Sequence, residues 1–114
     1  MAYKNEAKHV MLNALKQAIT HVSLHSAYPA TSSNEISGGG YARQEVTFTN
    51  PSGGAIQFSN QPQFSVPKGA TIAAVGFWSA ATAGTLYADA QVDTETYANP
   101  GTYTLESGSL DLNK

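Results

Sequence analysis

The chain has 114 residues, no cysteine and a formal net charge of −2, with only 12% of its residues charged. Disulfides and thiolate metal sites are therefore excluded, and six Lys and Arg residues form no basic stripe of the kind phosphate backbones require. No apolar run approaches the ~20 residues of a membrane span, so neither nucleic acid nor membrane is an expected partner.

The length suits one domain, residues 1–114, and is too short for two ordinary ones. Average soluble domains carry roughly 25% charged residues. Here Ser, Thr, Gly and Ala take their place. Small uncharged polar groups are cheap to desolvate, whereas buried charge is costly unless paired. Such a surface suits a protein that packs against neighbours. The six residues Met1-Ala2-Tyr3-Lys4-Asn5-Glu6 lack an apolar signal core, so synthesis and assembly in the cytoplasm are expected.

In chain order, the first element is a helix at about residues 5–19. Ala7, Val10, Met11, Ala14, Leu15, Ala18 and Ile19 recur at spacings of three and four and form an apolar stripe. Asn5 is the expected N-cap, with Glu6 in the first turn. His21 to Ala27 then alternates polar and apolar residues, as a half-buried strand does. Residues 30–40 form a polar loop ending in Gly38-Gly39-Gly40, where unusual backbone angles are permitted.

The remainder reads as short strands separated by turns. Segments 43–49, 55–59 and 63–66 alternate, and Asn50-Pro51-Ser52-Gly53-Gly54 is a turn cluster. The most apolar stretch, residues 71–79, includes Ile72, Val75, Phe77 and Trp78 and suits a strand covered on both faces. Segments 85–92, 95–98, 102–105 and 110–112 follow. With about eight short strands at this spacing, a mainly β fold is expected: a jelly-roll-like β-sandwich over residues 21–112 behind one N-terminal helix.

Little in the chain points to reaction chemistry. His21 and His25 stand four apart in a strand, and a metal requires three or more converging ligands. They read as strand surface. The glycine triplet is followed by Tyr41-Ala42-Arg43-Gln44 and a strand, not by the Lys-Ser/Thr and helix of a phosphate loop. Asp93 and Glu95 share a strand face, but an acidic edge that discourages edge-to-edge pairing explains them better than a paired-carboxylate site. No catalytic residue, metal ligand or cofactor is expected. Phe77 and Trp78, adjacent in a strand, face opposite sides. Trp78 fits a core position under the helix, and aromatic residues of this type are also enriched at interfaces.

Several segments resemble one known group. Val22-Ser23-Leu24-His25-Ser26-Ala27-Tyr28-Pro29, the stretch from Ser33 through Gly38-Gly39-Gly40-Tyr41-Ala42-Arg43-Gln44, the segment Val75-Gly76-Phe77-Trp78-Ser79-Ala80-Ala81-Thr82-Ala83-Gly84-Thr85-Leu86, and Gly101-Thr102-Tyr103-Thr104-Leu105 resemble small tailed-phage virion proteins described as head-decoration or tail-fibre proteins. The resemblance covers most of residues 20–112 and carries no catalytic residue onto the chain. It implies a virion component, with the major capsid protein or tail proteins of the same phage, and further copies of the chain, as partners. A cyclic homo-oligomer such as a trimer is the expected closure. A compact chain without a repetitive shaft favours the head over the tail, and the alternative is a tail-fibre module that binds a receptor or glycan. Candidate contact residues are Val10, Met11 and Leu15 on the helix, Tyr41 and Arg43 after the glycine loop, and Phe77 and Trp78. Glu35 and Arg43 are expected to pair across that loop and set its shape.

Overall fold

The computed structural model describes residues 3–106 and 109–111. The turn residues Ser107 and Gly108, and Leu112 of the last expected strand, lie outside them. The fold is mainly β, with antiparallel sheets arranged as a sandwich and one N-terminal helix. Among the described residues no helix is long and apolar enough to cross a membrane.

Helix α1 spans Asn5–Ala18. Its N-cap is Lys4, in extended geometry and without a side-chain cap. The cap expected at Asn5 is thus corrected: Asn5 is already helical, and Glu6 in the first turn faces the helix dipole. At the other end Ile19 turns extended while its N–H still reaches Leu15 O at 2.8 Å. The buried line is Leu12 and Ile19, with Leu15 packed beside them. Val10, expected on the buried stripe, is 71% exposed. The apolar residues of this helix spread over one broad side, with Val10 at one margin and Leu12 at the other, so the larger leucine side chains decide which part turns inward, because burial gain scales with apolar area. The helix packs on its own chain, against β3.

The main sheet has the order β2-β1-β5-β6, with β1 at His21–His25, β2 at Gln44–Glu45, β5 at Thr71–Trp78 and β6 at Leu86–Thr96. Two ribbons are the other paired strands among the described residues. One pairs β3 (Ala55–Gln57) with β8 (Ser109–Asp111), and the other pairs β4 (Gln63–Val66) with β7 (Gly101–Thr104). Segment 43–49 forms only the two-residue β2, after which Val46 and Phe48 turn into the core, 3% and 5% exposed. The two strands expected at 85–92 and 95–98 are one strand, β6, interrupted by irregular pairing with β5.

Register divides the main sheet into two faces. Val22 opposes Phe77 and Leu24 opposes Val75, and directly opposed residues lie on the same side. This side joins Leu12, Ile56, Phe64, Val66 and Ile72 in the apolar core. Phe77 meets Phe48 and Phe58 at ring separations of 6.3 and 5.7 Å. On the opposite face Ser23 opposes Gly76, His25 opposes Ala74 and His21 opposes Trp78. That face is closed too, with Ser23 and His25 both 0% exposed. The half-buried strand expected at 21–27 is therefore buried on both sides, and His25 is an interior residue, not strand surface. Polar alternation misleads here because the loop after β1 folds back and supplies hydrogen-bond partners for the polar side.

Candidate functional site

The loop that covers this polar face runs from residue 26 to 43. Its return path is built on glycine: Gly38, Gly39 and Gly40 all have positive φ, at 91°, 62° and 81°. A Cβ on Gly39 would sit 2.6 Å from Pro67 Cβ, so no other residue fits that approach. The turn delivers Tyr41 and Arg43 back over β1.

Arg43 ties three parts of the chain together. Its Nε and Nη2 donate to the two carboxylate oxygens of Glu35 at 3.0 and 2.9 Å, the bidentate fork that guanidinium geometry favours. Nη1 donates to the carbonyls of Ala80 and Ala83 at 3.1 and 2.8 Å. The guanidinium carbon lies 3.7 Å from the centre of the Trp78 ring, a cation–π stack. Ala83 has φ 54°, a left-handed conformation that costs a non-glycine residue on the order of 1 kcal/mol. The bond from Arg43 holds its carbonyl in that position. The expected Glu35–Arg43 pair thus exists, and it is part of the interior: the two side chains are 17% and 8% exposed.

Tyr41 closes the other side of the same carboxylate. Its hydroxyl donates to Glu35 Oε2 at 2.8 Å and accepts the Leu24 N–H at 3.0 Å, while its ring stacks on Phe64. Burial, with the Glu35 charge beside it, raises the Tyr41 hydroxyl well above the usual phenol range. Burial acts to raise Glu35 as well, but the hydrogen bonds from Arg43 and Tyr41 outweigh it and hold the carboxyl below its ordinary value. Changing Tyr41 to Phe removes one bond to the carboxylate and leaves the Leu24 N–H unpaired. The expected loss is about 1–2 kcal/mol in urea unfolding, with the ring stack retained.

Beneath Arg43 runs a second chain of bonds that sequence reading did not anticipate. Trp78 Nε1 donates to Ser23 Oγ at 2.7 Å, Ser23 Oγ lies 2.6 Å from His25 Nε2, and His25 Nδ1 lies 2.7 Å from Asn34 Oδ1. Asn34 Nδ2 donates to the carbonyls of Ala27 and Pro29, and its Oδ1 also accepts the Thr31 N–H. The amide orientation assigned by these bonds makes Oδ1 the acceptor, so the hydrogen of a neutral His25 sits on Nδ1 and the Ser23 hydroxyl donates to Nε2. Every polar side-chain atom from Trp78 through Ser23 and His25 to Asn34 then has a partner.

The connectivity Ser–His–Asn is that of a nucleophile, its base and an orienting amide. Its setting is not. Ser23 and His25 are fully buried, and the Ser23 hydroxyl is already engaged by Trp78 and His25. With no route for a substrate to Ser23 Oγ, the arrangement works as a bolt between β1, β5 and the covering loop. The depression above it, about 370 Å³ and lined by Glu35, Tyr41, Arg43 and Ala83, meets an Arg43 whose three guanidinium nitrogens each donate to the protein itself.

The structure separates the contact residues expected from sequence. Tyr41 and Arg43 converge with Trp78 on the covering loop. Phe77 and Trp78 are 2% and 5% exposed and belong to the interior, Phe77 on the core face and Trp78 under Arg43. Trp78 is thus interior as the composition of its strand implies, but it lies beneath the loop and not beneath the helix. Met11 and Leu15 are half-buried on α1, and Val10 points outward. Among the described residues no three His, Asp or Glu side chains gather closely enough to hold a metal ion.

The small β-sandwich thus keeps Ser23 and His25 inside and has its polar loop pinned from below by Arg43. Comparison with known proteins supplies its family. A family model described as podophage GP4 fiber I protein gp80 matches residues 7–113, and the chain belongs to this family. It is a structural protein of tailed phages, as the resemblance of its glycine-loop and aromatic segments implied. No curated protein matches the chain.

Proposed function

We propose that the chain is a fibre-associated subunit of the phage tail, acting by binding and assembly and not by catalysis. The observation that carries this reading is the family match over residues 7–113, whose description names a fibre protein. It favours the tail over the head position that compactness alone made attractive. The sealed Ser23 and His25 support a role without chemistry, because neither reaches solvent. Tail proteins of the same particle and further copies of the chain are its partners in this reading. The pinned loop at 30–43 and the outward face of α1 around Val10 are the surfaces offered to them, with cyclic closure such as a trimer.

Labelling tests the position. Antibody-bound gold directed at this chain on intact particles is expected at the tail. Gold distributed over the capsid would overturn the fibre reading in favour of head decoration.

A further inference from the structure

We propose that the outer edge of β6 receives a short, extended, cationic segment of another protein, added as a strand. β6 closes the main sheet and, among the described residues, pairs with β5 alone. The next strand, β7, is joined to it by a four-residue turn at 97–100 yet pairs with β4 instead. The two strands therefore diverge, and an open groove of about 540 Å³ lies between them. Val92 and Leu105 contribute its apolar groups, and Asp93, Glu95, Tyr103 and Glu106 its polar ones.

The unpaired backbone of an edge strand is a template for another strand. Here the sequence limits what can use it. Pairing with β5 is irregular between Ile72 and Ala74 and between Phe77 and Trp78, so residues 88–91 form the regular stretch. Asp93 and Glu95 come immediately after it. Residues 86–106 hold Asp89, Asp93, Glu95 and Glu106 and no Lys or Arg. The one ion pair among the described residues, Glu35 with Arg43, lies elsewhere. Asp93, Glu95 and Tyr103 line the same groove, and the Tyr103 hydroxyl is raised by burial and then by the two carboxylates.

Charge also decides the occupant. A second β6 would bring the same carboxylates to the edge, and like charges placed opposite one another disfavour pairing. The outward face of α1, with Glu6, Val10, Asn13 and Ala14, carries no cation either. A different chain with Lys or Arg beyond a short strand meets both requirements: its backbone pairs with residues 88–91 and its cations reach Asp93 and Glu95. This inference goes beyond the fibre reading and holds whether the subunit sits in tail or head.

Three nine-residue peptides test it on the full chain: alternating Lys-Val, alternating Glu-Val, and Lys-Val with every second backbone nitrogen methylated. The Lys-Val peptide is expected to slow amide exchange at residues 88–91. Its Kd is expected to rise about tenfold in the Asp93→Asn/Glu95→Gln variant, and similarly for the native chain on raising salt. The Glu-Val peptide should not bind, and methylation should weaken binding about tenfold, because it removes the donors of the ladder. Equal binding of methylated and plain Lys-Val peptides would overturn strand addition. So would no binding at all, or concentration-dependent protection of 88–91 without peptide, which would assign the edge to a second copy. None of these outcomes bears on where gold labels the particle.

Discussion

Arg43→Ala is expected to lower stability by about 2–4 kcal/mol in urea unfolding. The substitution strands the Glu35 carboxylate, uncovers the Trp78 ring and releases the carbonyls of Ala80 and Ala83 together. Breaking a fully buried pair costs about 3–5 kcal/mol, and the residual exposure of Glu35 lowers the figure. Lysine should recover less than half of the loss, since an ammonium cannot donate to both carboxylate oxygens while stacking on an indole. The effect has a pH signature. Glu35 is held below its ordinary pKa in the folded protein, so its contribution is complete above the unfolded carboxylate value, roughly 4.3. It is lost as pH falls through the folded value. In the variant the stranded carboxyl gains from taking a proton instead. The stability gap between native and variant chains should therefore narrow as pH falls, first as the variant's carboxyl takes its proton and then, below about pH 4.3, as the native contribution is lost, and a gap constant from pH 7 to 3 would show that Glu35 is not the group left unpaired.

Gly76→Ala is expected to cost about 3–5 kcal/mol, though it adds a single methyl group. Gly76 is in the central strand, opposite Ser23. A Cβ there would lie 2.9 Å from His25 Nε2, 2.9 Å from Ser23 Oγ and 3.0 Å from Leu86 Cδ1. Relief on one side means breaking the Ser23–His25 or Ser23–Trp78 bond inside a closed space, so an overpacking cost of about 1–3 kcal/mol is joined by unpaired polar groups. Adding Ser23→Ala provides the check. It removes the hydroxyl the new methyl collides with, so the double variant should lose clearly less than the sum of the two single losses. Strict additivity would mean that the crowding lies elsewhere.

Much of the architecture was legible in the chain. The apolar run at 71–79 reads as a two-sided strand because both of its faces really are covered, and β5 is central. Turn residues divide the strands where glycine and proline must stand. The errors share a cause: local pattern does not say what folds over a residue. Ser23 and His25 look like surface until the 26–43 loop lands on them. Val10 and Leu12 compete for the same interior, and only the packing of α1 on β3 decides between them. The Glu35–Arg43 pair was readable as charge flanking a glycine turn. The Trp78–Ser23–His25–Asn34 chain was not, since its members are brought together by β1–β5 register and the loop's return, neither of which has a local signal.

The chain is a structural protein of the fibre family, low in charge and with Ser23 and His25 buried. Quantitative mass spectrometry of gradient-purified particles tests that role most directly. A structural subunit remains in the particle at a fixed copy number relative to the other virion proteins, through repeated high-salt washing. Loss of the chain on washing, or trace amounts that vary from one preparation to the next, would contradict a structural role in the virion.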